Sequence, residues 1–338
     1  MLKNLCVLVL CFACIGCVQD RREQELVQLS EKTLIDNKQD KIAKRIATLN
    51  MTAIAASAGV QAKYLRTLQL LKTEYGANIP PQALMNKAVL YCADSTQNRL
   101  KFMRQAVNSN HSIIWAVQGG FGANMLIAEM NKWPTPKHKK TLIGFSDTTS
   151  LLLFVSQKWG WRAIHAPVLA HLSKPAFAEN KFTTLLDILE GRIQKYDISA
   201  VYPLNAIARK QKSVSGKLIG GNLTLVETSI GTCWEIQPKE KILFLEDVNL
   251  NPWRIYRSLY HLKESGRLNG VKAIVFGSFT KAWAPQKEVV DTLRTFANSV
   301  GIPVYVTDQF GHGRNNMPLV YNAKAILQDN KMTINIGD

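Results

Sequence analysis

From residue 51 onward the chain alternates between two hydrophobic rhythms. Short apolar runs bounded by turn-forming residues predict strands, and stripes at i, i+3, i+4 spacing predict helices. "MTAIAASAG" (51–59) is an apolar strand that ends in a small-residue turn, and "YLRTLQLLKTEYG" (64–76) sets its leucines at helical spacing before a glycine. "KAVLYC" (87–92) reads as a strand, and "STQNRLKFMRQAVNS" (95–109) as a helix with Ser95 as its N-cap. "HSIIWAVQGGFGANMLIAEM" (111–130) is a strand, a glycine-rich turn and a helix, and "KTLIGFSDTTSLLLFVSQKWG" (140–160) repeats that grammar. "RAIHAPVLA" (162–170) gives a further strand. Strands alternating with helices predict an α/β fold, with a doubly wound parallel-sheet N-terminal domain over 49–170.

Regularity then weakens. Residues 171–212 contain a helix at "FTTLLDILEG" (182–191), end in the basic "ARKQK" (208–212), and read as a connection between domains. A smaller, β-rich α/β C-terminal domain over 213–338 opens at "SVSGKLIGGNLTLVETSIGT" and continues with the strand "KILFLED" (241–247). A helix (252–268), the strand "VKAIVFGSF" (271–279), a helix (288–300) and a strand with its loop, "GIPVYVTDQFGHG" (301–313), follow before the paired ending "AKAILQDNKMTINI". A length of 338 residues, 46% hydrophobic, suits two cores.

The N-terminus follows neither rhythm. "MLKNLCVLVLCFACIGC" (1–17) has one lysine, an apolar run too short to span a bilayer, and a small residue before Cys17, after which the chain turns polar. It reads as a lipoprotein-type signal with Cys17 as the lipidated residue, followed by a polar tether and helix over 18–48. An exported protein, lipid-anchored to a bacterial membrane and facing the periplasm, is expected. Val18 leaves no aspartate after the anchor to retain it at the inner membrane, which points to the outer one. Beyond the signal only Cys92 and Cys233 remain, too few for a disulfide framework or a zinc site. The formal charge of +17 suits anionic surfaces, whereas dispersed basic residues and the lack of a recognised motif argue against nucleic acid.

Ligands of parallel α/β domains bind beyond the carboxyl ends of the strands. Three glycine-marked turns fall there: "QGGFG" (118–122), "GFSD" (144–147) and "FGSF" (276–279). The first lacks the lysine of a phosphate loop. Ser146 in the second is, on local grounds, as usable for capping a helix as for attacking a substrate, and a cap is the commoner use. As a nucleophile it needs a base and an orienting acid. Of six histidines, His111 and His138 lie in polar stretches, His165 and His171 flank an apolar segment as structural residues, and His261 falls in an amphipathic helix. His312, between glycines in "QFGHGRNN", is the best base. Glu246, ending an apolar strand, is the best acid, with Asp247 its competitor. Asp147 would cap its helix.

Six motifs in order, "QGGFGANMLI", "IGFSDTTSLL", "GKLIGGNLTLVETSIGT", "ILFLEDVNLNPWRIYRSLYHL", "VKAIVFGSF" and "GHGRNNMPLVYNAKAIL", resemble the LD-carboxypeptidases, serine peptidases acting on muramoyl tetrapeptides, over about residues 50–330. The resemblance implies a site between the two domains, with a Ser146, Glu246 and His312 triad and an oxyanion hole from the Gly120 and Asp147 amides. It implies cleavage between an L-centre diamino acid and a terminal D-alanine of murein tetrapeptides, no cofactor, no metal, and a homodimer. The chain departs from the family's pattern at Gln118, where arginine is usual, at Ala56 in "AAS", at Leu250 and at Cys233. Gln118 removes a cation from the cleft, and export departs from the cytoplasmic habit of many members. The alternatives are a relative of the microcin-immunity peptidases that cleaves aminoacyl-nucleotide amides, for which Trp234 or Trp253 would stack on a base, and a non-catalytic wall-peptide binding lipoprotein.

Overall fold

The computed structural model describes residues 37–173, 179–282 and 284–337. The stretch read as a lipoprotein-type signal, Cys17 included, lies outside these residues. The chain divides into a unit ending at Ala43 and a larger unit from Lys44 to Asp338. The helix Asn37–Ala47, the part of the expected polar stretch that is described, runs across that division.

The larger unit holds two sheets. In the first, β1 (Met51–Ile54), β2 (Ile113–Ala116), β3 (Thr141–Gly144) and β4 (Arg162–His165) are parallel and lie in chain order, so the sheet grows in one direction. β1 and β2 are buried at every position, as the uninterrupted apolar runs "MTAI" and "IIWA" require of strands covered on both faces. Ser95 caps the helix Thr96–Asn108 as expected, its Oγ accepting the Asn98 N–H at 3.3 Å.

The second half is β-rich as expected, with eight strands against five in the first sheet. β5 (Lys195–Ile198) and β6 (Tyr202–Pro203), from the stretch read as a connection, form its two edges. Its centre is the parallel set β7 (Val214–Asn222), β8 (Lys241–Val248), β9 (Ala273–Thr280) and β10 (Val304–Gly311). Next in the chain, β11 (Leu319–Val320) returns to the first sheet and pairs antiparallel with β4, Leu319 opposite His165. β12 (Lys324–Gln328) and β13 (Lys331–Asn335) form the expected hairpin, turning through Asp329 and Asn330 at φ 51° and 55°.

One expected strand is absent. Residues 87–92 make a tight turn with a single bridge between Val89 and Cys92. Leu90 and Tyr91, at positive φ, are 70% and 82% exposed. An apolar run with no sheet edge to join has nothing to bury against, so composition alone does not make it a strand.

The sheets meet where β7 ends. Gly220 and Gly221, at φ 151° and 135°, leave no room for side chains: a Cβ on Gly220 would lie 1.8 Å from the Phe244 carbonyl oxygen. One on Gly221 would lie 2.4 Å from Thr149 Cγ2. The Tyr321 hydroxyl donates to the Gly220 carbonyl, and the Asn222 N–H to Thr149 Oγ1 at 3.1 Å. Gly220→Ala should therefore cost about 3 kcal/mol or more of stability in denaturant unfolding, because the overlapping atoms are backbone and cannot swing aside. A loss below about 1 kcal/mol would show that the sheet can shift to admit a methyl group.

Candidate active site

Ser146 is not a helix cap. It follows β3 by one extended residue, Phe145, and opens a short 3-10 turn, Ser146–Thr148, that leads into the helix Thr149–Lys158. Its φ of 60° is left-handed, a conformation that costs a non-glycine residue about 1–3 kcal/mol. That strain lifts the side chain off the strand end instead of folding it back on the helix amides. Gly119 makes space beside it: a Cβ there would lie 3.0 Å from Ser146 Cβ and 3.3 Å from Oγ.

The hydroxyl meets His312. Ser146 Oγ lies 3.0 Å from His312 Nε2, and His312 Nδ1 lies 2.5 Å from Glu246 Oε2. The three come from the ends of β3, β8 and β10, with 66 positions between Glu246 and His312 and 166 between Ser146 and His312. With Nδ1–H donating to the carboxylate, Nε2 is free to accept from the hydroxyl. Glu246 is fully buried, and the pairing of β8 with β9 shifts register between Leu245 and Asp247, a bulge that re-aims the side chain between them. Gly311, at φ 104°, lets the chain pass close: a Cβ there would sit 2.7 Å from Glu246 Cβ. Burial raises the Glu246 carboxyl pKa, but the charge and hydrogen bonds of His312, with His165 beyond it, outweigh burial and hold the value below the ordinary one.

Asp147 does not cap its own helix. Its Oδ2 accepts the Ala123 N–H at 2.8 Å, which ties the serine turn to the glycine turn that follows β2. Burial raises its pKa, against hydrogen bonds from that turn and the charge of Arg99. Gly120, at φ 123°, closes on Ala58, whose Cβ a side chain at 120 would meet at 2.4 Å. Gln118 spans the same rim without charge: its Oε1 accepts the Gln61 N–H and its Nε2 donates to the Gly59 carbonyl, both at 3.2 Å.

Arg99 was not among the expected site residues. It is buried and donates to the carbonyls of Ala56, Asp94 and Gly122, the last within the glycine turn itself. The signal was present in the sequence: Arg99, Met103, Ala106 and Val107 share the buried stripe of one helix. Asp247 is occupied with Asn222 Nδ2, the Thr224 N–H and hydroxyl, and the Val248 N–H, so it braces the turn after β7. Cys92 and Cys233 are unpaired. Trp234 is buried, and Trp253 lies under the Arg257 guanidinium at 4.9 Å, so both already have packing partners.

The remaining histidines divide. His111 bridges Asn50 and Asn78, and His261 pairs with Glu227. His165 and His171 both approach the site, their rings 5.7 and 5.0 Å from that of Phe145, which in turn lies 4.7 Å from the His312 ring. His165 is wholly buried, and burial pushes its pKa down to about 4, opposed by the Glu246 carboxylate and assisted by His312.

Comparison with known proteins follows the same geography. Residues 51–166 match the family model described as the LD-carboxypeptidase N-terminal domain, and residues 215–327 its C-terminal domain. A Rickettsia conorii protein named as a carboxypeptidase is 42% identical over 83% of this chain and 88% of its own. The murein tetrapeptide carboxypeptidase of Pseudomonas aeruginosa is 32% identical over 72% of this chain and 81% of its own. The crystal structure of a muramoyltetrapeptide carboxypeptidase from Oxalobacter formigenes superposes with a TM-score of 0.69 at 23% identity, covering 85% of this chain and 98% of the other.

The depressed basicity of His165 has a consequence for stability. Its value falls from 6.5 in the unfolded chain to about 4 in the folded one, so acid protonates the unfolded chain first. This residue withdraws stability as pH drops through that window, on the order of 2 kcal/mol. Asp147 and Asp247, both raised, act in the opposite sense, and their effect cancels in a comparison with His165→Phe. The stability of the wild type relative to that variant should fall between about pH 7 and about pH 4.5. Parallel melting curves would contradict a buried neutral ring.

Proposed function

The chain belongs to the LD-carboxypeptidase family, and from that premise we propose that it is a serine carboxypeptidase releasing the terminal D-alanine of murein tetrapeptides. The observation that carries this reading is the His312 ring, with Ser146 Oγ 3.0 Å from one nitrogen and the Glu246 carboxylate 2.5 Å from the other. Ser146 attacks the carbonyl of the diamino acid residue while His312 takes its proton. Glu246 holds the ring in the tautomer that can accept and stabilises the imidazolium that forms. The backbone N–H groups of Gly120 and Asp147 receive the oxyanion. The C–N bond breaks as His312 returns the proton to the departing amine of D-alanine, and water then hydrolyses the acyl-enzyme by the same relay. The relatives named for murein substrates support this substrate class. The signal read over 1–17, with Cys17 acylated, would set the enzyme on the periplasmic side beside the wall itself.

The test is incubation of residues 18–338 with L-Ala-γ-D-Glu-meso-diaminopimelate-D-Ala, following D-alanine by mass spectrometry. The wild type releases it, and Ser146→Ala does not. Glu246→Gln, which keeps the shape and loses the charge, falls roughly a thousandfold or more in kcat. Equal release by the wild type and Ser146→Ala would remove the serine from the mechanism. No release by the wild type would reject this peptide as substrate.

A further inference from the structure

The carboxylate that orients His312 is only half satisfied. Glu246 faces the His312 ring through Oε2 and also feels the His312 backbone N–H, but its Oε1, equally buried, has no hydrogen-bond partner. An ionised oxygen kept from water without a donor is costly, and proteins rarely leave one so. Around the same seam lie complementary orphans. His165 is fully buried with neither ring nitrogen hydrogen-bonded, and Asn316 is buried with its Nδ2 unpartnered while its Oδ1 accepts the Gly311 N–H at 3.1 Å.

His165 and Glu246 come to this seam from different sheets. His165 ends β4, and its ring is 5.5 Å from Phe244, two residues before Glu246 on β8, and 6.5 Å from Phe310, two residues before His312. Phe145 separates its ring from that of His312. The titratable groups acting on His165 are Glu246 and His312, and those acting on Glu246 further include Asp247 and Tyr321. A neutral imidazole offers one donor, a primary amide offers donors, and a carboxylate oxygen accepts. Such a set satisfies one internal water with three partners.

We propose that His165 is a positioning residue for Glu246, its ring N–H reaching Oε1 through a single internal water also held by Asn316. The proposal rests on the triad reading above and adds a member to it. Because the ring stays neutral, it donates without placing a second positive charge against His312. A donor on Oε1 draws negative charge from Oε2, so His312 holds its proton less tightly and serves as a base at lower pH. It also fixes the carboxylate plane, and with it the imidazole that must accept from Ser146.

The experiment compares wild type, His165→Phe and His165→Asn with histidine labelled in 15N and 13C, reading the titration of His312 by NMR and D-alanine release against pH. For His165→Phe the His312 midpoint moves upward by about half a unit or more, and plateau kcat falls about tenfold at unchanged KM, as loss of a hydrogen bond to a charged group implies. His165→Asn, which keeps an N–H, stays close to wild type. His165→Phe with an unaltered midpoint and rate would overturn the proposal. Should that variant not fold, the wild-type spectrum decides. A protected His165 ring N–H whose shift follows the Glu246–His312 titration supports it, and a freely exchanging or unresponsive one overturns it. The NMR arm needs no substrate, so absence of turnover would count against the peptide reading alone.

Discussion

Everything in this site hangs on one buried carboxylate. Glu246 lies at the end of a strand with no exposure to solvent, and an isolated charge there would neutralise itself. His312 makes the charge tolerable, and in doing so it fixes where the loop after β10 must run. The close pass of Gly311, the bulge in β8 and the approach of the Ser146 turn all follow from bringing an imidazole onto that oxygen. Because the serine belongs to one sheet and its partners to the other, the hydrogen-bonded row of Ser146, His312 and Glu246 exists only when the sheets are docked. The return of β11 to pair with β4 and the contact of β7 with the serine helix secure that docking.

The other buried polar groups work as braces. Asp147 holds the glycine turn, Arg99 gathers three loop carbonyls, and Asp247 with Asn222 fixes the turn that touches Thr149. Each satisfies backbone groups at strand ends, where the sheet no longer can. The site is thus held on hydrogen-bonded loops with little freedom to adjust, which suits a relay that depends on distances near 3 Å. Such a frame also explains why glycines crowd here: at Gly119, Gly120, Gly221 and Gly311 the backbone passes within contact of a side chain from another loop or strand.

Much of this is legible in the sequence. The strands at 51, 113, 141 and 162 and the helices between them follow from hydrophobic period, and Ser146, Glu246 and His312 were candidates because each ends an apolar strand or sits between glycines. What could not be read were roles set by long-range contact. The run "KAVLYC" has strand composition but no partner edge, so it became an exposed turn. Asp147 looked like a cap for its own helix, yet its acceptor oxygen reaches a turn 24 positions away. Arg99 was hidden inside a helix, although its place on the apolar stripe marked it as buried. His165 was correctly placed in an apolar segment, but local sequence could not show that the segment borders the triad.

The role of Ser146 is tested most directly by treating the folded protein with a fluorophosphonate, which phosphonylates an activated serine far faster than an ordinary one, and locating the adduct by peptide mass spectrometry. A single adduct on Ser146 is expected, formed at least about a hundredfold more slowly when His312 is replaced by alanine. An adduct on another serine, or equal labelling with and without the His312 imidazole, would contradict it.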